Sequence, residues 1–436
     1  MRYLFGSYYN LDDPPRKWEQ TYTRGRAMRN PGDLVYASGL MDILRTDSDV
    51  EFVPTGYVAY NGRLPLRLEE INETCSALVL PFADHFRDSR SFLLDRYTDL
   101  IRKLKIPVVV PCIGVRAEEI SEKTNTAARR FVSAVLDKSS MIGLRGETTA
   151  RYLEDLGYSR DRHFAVVGCP SIYRAGPELP DVSWPDDPNS CAFGMNCRAG
   201  ENVNRFLFDS AKMIPLRRFI TQSDFEFVHY FVSGNARRDA THRIPWYRDM
   251  VVSTIKDGSY RYFFNLNSWK KCLRSVDCSM SCRIHGSILA LLCGVPAAIV
   301  AFEDRTRELA VFHAIPTILP EEIAPGDTIG KFAERFDFEA TRTRHRENFT
   351  RFLDFLHRNG LKTAFDDGGF PRPSPRANVL AEDIPCETMK PLCSVSPAVR
   401  VWRRIEWSAL ELRRMLDLNH LPGFPVPRSR DLRWSE

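Results

Sequence analysis

The sequence lacks an uninterrupted apolar run long enough to cross a membrane. Its longest apolar stretch, residues 287–302, is interrupted by Gly294 and Pro296. A membrane-spanning helix needs about 20 predominantly apolar residues, so this stretch predicts a buried helix followed by a buried strand. The apolar run within residues 1–6 is too short for the core of a signal peptide. We therefore expect a cytoplasmic protein.

The sequence also has no concentrated run of basic residues. It contains 61 lysines and arginines and 56 acidic residues, which gives a formal net charge of +5. Nucleic-acid-binding proteins usually carry a clustered basic face, so we expect no nucleic-acid partner. A mildly basic protein that handles anionic small molecules fits this balance equally well.

A second cysteine pair at metal-binding spacing is absent as well. The chain has 11 cysteines, and Cys272, Cys278 and Cys282 lie near one another. A structural zinc site needs a second pair at a similar spacing, and none follows. The odd number and the lack of a secretion signal favour free, buried thiols. We expect no metal.

The length and the alternation of short apolar runs with amphipathic segments predict a two-domain α/β protein. We place the first domain at residues 1–170, a proline-rich linker at 171–190, the second domain at 191–335 and a helical, loop-rich extension at 336–436. Strands are predicted at residues 2–5, 77–81, 106–110, 141–144, 163–167, 191–194, 225–231, 260–264, 275–280 and 297–302. Helices are predicted at residues 34–44, 92–104, 126–136, 148–156, 285–293 and 398–418, with a charged helical region at 331–361.

The last predicted helix, residues 398–418, carries Trp402 and Ile405 on an apolar face with arginines on its flanks. One interpretation is a helix that packs on the body of the protein. The other is a helix that lies on an anionic membrane surface, here the inner face of the cell membrane.

The segment with the strongest chemical signal is residues 281–291. It follows a predicted strand and opens a helix, a position at which open α/β sheets bind ligands and a helix N-terminus attracts anions. Arg283 supplies a permanent positive charge, and His285 can exchange a proton near neutral pH. Gly286 leaves room for a ligand to approach the backbone.

Three further strand ends carry candidate site residues. Arg305 follows the next strand and would converge with His285 on one anion, unless it belongs to a solvated helix start. Arg145 and Thr149 open an earlier helix, where the threonine either caps the helix or contacts an anion. The turn Asn30-Pro31-Gly32-Asp33 precedes the first helix, with Asp33 as an N-cap or a catalytic carboxylate.

Together these motifs resemble the polysaccharide pyruvyl transferase family. The resemblance rests on Asn30-Pro31-Gly32-Asp33, on Arg145 ahead of a helix that ends at Gly157, on Gly168-x-Pro170-Ser171, and on Arg283-x-His285-Gly286 with the later Gly294-Val295-Pro296. It covers roughly residues 25–320. It differs from the family pattern at residues 82–86, where many members carry a pair of glycines, and at Arg305, where many carry lysine.

The resemblance implies two Rossmann-like domains that face a central cleft, an architecture similar to that of GT-B glycosyltransferases. It implies phosphoenolpyruvate as the donor substrate, bound by Arg145, Arg283, His285 and Arg305, with no further cofactor. The acceptor would be a sugar of a polysaccharide or of a lipid-linked oligosaccharide, near Asn30, Gly32, Asp33 and Thr149. His285 and Asp33 would then carry the proton transfers.

Two other functions remain compatible with this architecture. A glycosyltransferase or epimerase that uses a nucleotide sugar would share the two domains, because a fold does not fix an activity. A carbohydrate-binding relative without catalytic activity would share them as well, although it would not need cations at converging strand ends.

Overall fold

The computed structural model of the protein describes residues 1–7, 30–56, 64–222, 244–263, 266–371, 392 and 395–415. These residues form two six-stranded sheets covered by helices. The strands are β1 Arg2–Phe5, β2 Glu51–Pro54, β3 Ala77–Phe86, β4 Val108–Val115, β5 Ile142–Leu144, β6 Phe164–Val166, β7 Ser190–Gly194, β8 Leu216–Ile220, β9 Tyr260–Arg261, β10 Cys278–Ser281, β11 Ala297–Val300 and β12 Thr317–Ile318. The α-helices are α1 Gly32–Leu44, α2 Leu68–Thr74, α3 Ser91–Lys103, α4 Glu122–Leu136, α5 Glu147–Asp155, α6 Gly200–Lys212, α7 Pro245–Lys256, α8 Leu266–Leu273, α9 Ile284–Leu292, α10 Asp304–Phe312, α11 Gly330–Ala333, α12 Phe338–Arg358 and α13 Pro397–Met415.

The first sheet has the order β2-β1-β3-β4-β5-β6, and its strands are parallel. Its central strands are buried on both faces, as the continuous apolar run of β4 requires. The strand order reverses between β1 and β3, so the crevice that can hold a ligand lies at the carboxyl ends of those two strands. The pairing of β3 with β4 shifts register beyond Val79, and this irregularity carries residues 82–86 toward the crevice.

The second sheet has the order β12-β11-β10-β7-β8-β9, again with parallel strands. Counted along the chain, this is the order of a Rossmann sheet, in which the switch point lies between the first and fourth strands. Those strands are β7 and β10. The prediction of an α/β fold with two Rossmann-like domains is therefore confirmed.

Most predicted elements agree with the structure within a few residues. The structure adds the strands β2, β8 and β12 and the helices α2, α6, α7 and α8, which the sequence patterns did not predict. Strand β8, for example, contains Arg217 and Arg218. It also divides the charged region 331–361 into α11 and α12. The predicted strand at 225–231 and part of the one at 260–264 lie outside the described residues.

The two sheets are joined by a shared apolar core. One cluster of buried residues contains side chains from α1 of the first domain and from α9 of the second. Helix α12 then returns to the first domain, where the Asn359 side chain that follows it accepts hydrogen bonds from the N–H groups of Ser140 and Met141 at 3.0 and 3.2 Å. The two domains are therefore in direct contact at the base of the cleft between the sheets.

Within the described residues, no helix combines the length and the apolar character that crossing a membrane requires. On α13, the side chains of Val401, Trp402 and Ile405 are 58%, 44% and 62% exposed. The apolar face of this helix is therefore not covered by the described body of the protein.

Candidate active site

His285 lies at the switch point of the second sheet. Strand β10 ends at Ser281 and α9 begins at Ile284, so the histidine sits in the first turn of a helix that follows a central strand. Its side chain is buried and reaches the first domain. There, its Nε2 atom lies 3.7 Å from Sγ of Cys169, and its ring centroid lies 5.4 Å from that of Tyr36. His285 therefore closes the floor of the interdomain cleft.

Gly32 and its neighbours form the opposite wall. A Cβ atom at Gly32 would lie 3.0 Å from Nδ1 of His285, so glycine permits this close approach. Asn30 orders the turn, since its Oδ1 accepts from the N–H of Gly32 at 3.0 Å and its Nδ2 donates to Asp33 at 2.8 Å. Pro31 occupies the N-cap position, so Asp33 is not the cap. Burial raises the pKa of Asp33, against the opposing effect of His285.

Arg145 is a buried cation at the end of β5. Its Nε atom donates to Sγ of Cys112 at 3.1 Å, and its guanidinium carbon lies 6.0 Å from the centre of the Tyr36 ring. Burial alone would lower the pKa of Arg145, but the neighbouring Cys112 and Cys169 raise it. A permanent positive charge therefore lies beneath the cleft.

Asp84 gathers three arginines around one buried carboxylate. Its Oδ2 atom lies 3.1 Å from Arg87, 3.2 Å from Arg116 and 3.2 Å from Arg305. Burial would raise the pKa of Asp84, yet Arg305 and the other arginines hold it well below its usual range. The cluster joins β3 and β4 of the first domain to α10 of the second, and Arg116 also pairs with Glu119 at 2.7 Å.

Arg305 is shared between two carboxylates. Besides Asp84, it forms an ion pair with Glu303, which precedes α10. Glu303 also lies 3.7 Å from Arg116. Burial would raise the pKa of Glu303, but Arg305 and Arg283 lower it. Arg283, whose backbone N–H donates to Oγ of Ser281 at 2.9 Å, thus belongs to the same charged group.

Thr149 takes part in a contact between the domains. Its N–H donates to Oε1 of Glu308 at 2.9 Å, and its hydroxyl donates to Oε2 of the same residue at 3.4 Å. The hydroxyl also accepts from the N–H of Val115 at 3.1 Å. Thr149 is fully buried, so its polar groups bind protein partners rather than open space.

Gly286 has a similar structural task. A Cβ atom here would collide with the side-chain amide of Gln222, which is itself buried. The sequence predicted that Gly286 lets a ligand approach the backbone. In this structure, the side chain of Gln222 occupies that space.

The sequence also matches the model of a known protein family. The family model for polysaccharide pyruvyl transferases matches residues 30–304, which is more than half of the chain. The chain belongs to the polysaccharide pyruvyl transferase family. No curated protein matches the sequence.

The solved structures that match the chain are distant. A functionally uncharacterised protein of Klebsiella pneumoniae is 14% identical with a TM-score of 0.34, covering 73% of this chain and 92% of its own. Anabaena HepE in complex with UDP is 11% identical with a TM-score of 0.40, covering 82% and 97%. MnaA of S. aureus, solved with UDP, is 10% identical with a TM-score of 0.37, covering 84% and 92%. These similarities carry no inference about activity.

The family match includes Asn30, Arg145 and His285, and the last residue it covers directly precedes Arg305. The structure groups Asn30, Gly32, Asp33, Arg145 and His285 around Tyr36. It places Arg283 and Arg305 near Glu303, and the charge of Arg305 also acts on Asp33. Sequence reasoning overlooked Asp84 and Cys169. Asp84 could have been noticed because it lies within residues 82–86, where the sequence departs from the family pattern. Cys169 could have been noticed because it lies inside the motif Gly168-x-Pro170-Ser171.

No group of three or more histidine, cysteine or acidic side chains suited to a metal occurs in the described part of the chain. Cys278 and Cys282 instead contact backbone carbonyls, those of Ser190 at 3.8 Å and Gly194 at 3.1 Å.

Proposed function

We propose that this protein transfers a pyruvyl group from phosphoenolpyruvate to two hydroxyls of a sugar, which forms a pyruvate ketal. The observation that carries the proposal is that His285 and the buried cation Arg145 both lie against the Tyr36 ring, while the charges of His285 and Arg305 both act on the buried Asp33. A donor with a phosphate and a carboxylate needs two such positive centres, and its chemistry needs a group that moves protons.

The donor would bind by replacing contacts that already exist. Arg305 now pairs with Asp84 and Glu303. A phosphate can accept paired hydrogen bonds from one edge of this guanidinium. Arg283 and the N-terminus of α9 would complete the anion site, since a helix N-terminus favours negative charge.

The proposed reaction balances without any further reagent. A proton is added to the methylene carbon of phosphoenolpyruvate, and a sugar hydroxyl attacks the neighbouring carbon and loses its proton. Phosphate then leaves with its bonding electrons, and a second hydroxyl attacks the same carbon and loses a proton. We assign proton delivery to His285 and proton removal to Asp33, whose pKa is raised by burial.

Ligand-induced stabilisation tests the donor. A ligand present at about 100 times its Kd stabilises the native state by roughly 2.7 kcal/mol. We expect phosphoenolpyruvate to raise the Tm beyond the effect of inorganic phosphate, and we expect Arg305→Ala to abolish the difference. Phosphate release should also depend on an added sugar acceptor. A Tm rise with nucleotide sugars and none with phosphoenolpyruvate would instead favour a glycosyltransferase.

We further propose that α13 holds the protein at the inner face of the membrane, next to a lipid-linked acceptor. Its exposed Trp402 and Ile405 lie beside Arg404, which is also exposed. Apolar side chains flanked by arginines suit the boundary of an anionic bilayer. Sedimentation with vesicles of anionic lipid should therefore be lost in Trp402→Glu/Ile405→Glu. The surface variant Met213→Glu is the control, and equal sedimentation of all variants would contradict the proposal.

A further inference from the structure

A cavity of about 430 Å³ lies away from His285 and the other candidate active-site residues. Its walls come from the interdomain segment 167–189, from α8 and from the C-terminal end of α9. Leu292, in the cavity wall, is seven residues along α9 from His285, which at 1.5 Å per residue is about 10 Å. None of the residues that line the cavity belongs to the cleft described above.

Three cations line this cavity: Arg174, Lys270 and Arg274. Burial and the positive charge of Arg174 lower the pKa of Lys270 to about 8, against the opposing effect of Asp42. The same three cations lie near the thiol of Cys293. The side chains therefore converge on one volume and repel one another across it.

The acidic residues near the cavity already form ion pairs with arginines. Arg174 forms an ion pair with Asp42. Glu178, in the cavity wall, accepts two hydrogen bonds from Arg346 at 2.8 and 3.0 Å. Among the described residues, no carboxylate forms an ion pair with Lys270 or Arg274. Positive charge thus exceeds negative charge at the cavity surface.

The helix dipole alone does not account for this arrangement. Cations near the C-terminal end of α8 gain a few tenths of a kcal/mol from the dipole. Lys270 and Arg274 are four residues apart, however, and like charges at this spacing lose a similar amount. An incoming anion would relieve the repulsion among all three cations.

We propose that this cavity binds a phosphate-bearing small molecule, with Arg174, Lys270 and Arg274 around the phosphate. The volume lies in the range typical of small-molecule pockets. Leu179, Pro180 and Leu292 provide an apolar wall for the rest of the ligand. The site does not depend on the reaction proposed for the cleft.

Inorganic pyrophosphate is the probe for this site, and Arg305→Ala provides the background because that change weakens anion binding in the cleft. In this variant, pyrophosphate should raise the Tm by about 2 °C over sodium chloride of equal ionic strength. Adding Lys270→Ala and Arg274→Ala should remove the rise. Adding Lys271→Ala, an exposed lysine on the same helix, should leave it intact. A rise that survives the loss of Lys270 and Arg274, or no rise in Arg305→Ala, would overturn the proposal.

Amine acylation offers a readout that leaves the cavity side chains unchanged. At pH 8, a lysine with a pKa of about 8 is roughly half neutral, whereas an ordinary lysine is almost fully protonated. Pyrophosphate should slow the acylation of Lys270 and not that of Lys271, as measured by peptide mapping. Equal rates at Lys270 with and without pyrophosphate would count against the site.

Discussion

Sγ of Cys169 lies 3.7 Å from Nε2 of His285, although the two residues are 116 positions apart in the chain. The thiol also contacts Oγ of Ser171 at 3.0 Å, and the N–H of Cys169 donates to His313 at 3.0 Å. Burial would raise the pKa of Cys169, but hydrogen bonds from Cys112 and His285 lower it well below its ordinary value. These hydrogen bonds favour the thiolate form of Cys169.

We expect Cys169→Ser to remove one thiolate from the native protein at pH 7. An ordinary cysteine has a pKa of about 8.5 and is mostly protonated at this pH. Difference ultraviolet absorbance of the thiolate, native minus variant, measures the change. Cys75→Ser is the matched control, because burial raises the pKa of Cys75 and keeps it protonated. An unchanged thiolate signal in Cys169→Ser would show that Cys169 is a neutral thiol.

His285→Ala should lower kcat by about 10²–10⁴-fold, since positioned acid–base catalysis typically contributes that much. The measurement is phosphate release from phosphoenolpyruvate in the presence of a sugar acceptor. His357→Ala is the control, because His357 pairs with Asp366 at the surface, far along the chain on α12. A loss of less than about tenfold in His285→Ala would remove His285 from the chemistry.

The parallel arrangement of the strands allowed both the fold and several candidate site residues to be predicted from the sequence. In parallel sheets, the chain leaves each strand at the same edge, so residues just beyond strands meet in space. His285 and Arg305 follow β10 and β11, which are neighbours, and their convergence could be predicted. Arg145 follows β5 of the other sheet, and its place in the same cleft depends on how the domains pack.

The remaining site residues depend on contacts that a linear pattern does not contain. Asp84 reaches the cleft because β3 continues through an irregular pairing with β4 beyond Val79. The interdomain bond between Thr149 and Glu308 joins residues 159 positions apart. Neither a period of two nor one of 3.6 residues carries such information, so the sequence suggested only a cap or an anion contact for Thr149.

Asp84→Asn should reduce the free energy of unfolding by about 3–5 kcal/mol at pH 7, because it removes the buried charge that Arg87, Arg116 and Arg305 share. The folded-state pKa of Asp84 lies below its ordinary value. Its contribution is therefore complete above the ordinary pKa of about 3.9 and is lost as pH falls through the folded-state pKa. The stability gap between native protein and variant should narrow below about pH 4 in urea unfolding.

Asp95→Asn is the matched control for Asp84. Asp95 pairs with Arg130 at 2.9 Å on the surface, with both side chains more than a third exposed. Such pairs contribute roughly 0–1 kcal/mol. Equal losses of unfolding free energy in the two variants at pH 7 would show that the charge of Asp84 does not stabilise the fold through its arginines.

Glu308 allows the charge and the hydrogen bond of the interdomain contact to be separated. Burial raises the pKa of Glu308, although the N–H of Thr149 opposes the shift. A carboxyl with a raised folded-state pKa contributes most below its ordinary pKa and loses that contribution as pH rises through the folded-state value. At pH 7, Glu308→Gln should therefore match or slightly exceed native stability, because the amide oxygen still accepts from Thr149 without a buried charge. Glu308→Ala leaves that N–H unpaired and should lose about 1–3 kcal/mol in urea unfolding. Equal losses in both variants would mean that the charge, and not the hydrogen bond, holds the two domains together at this point.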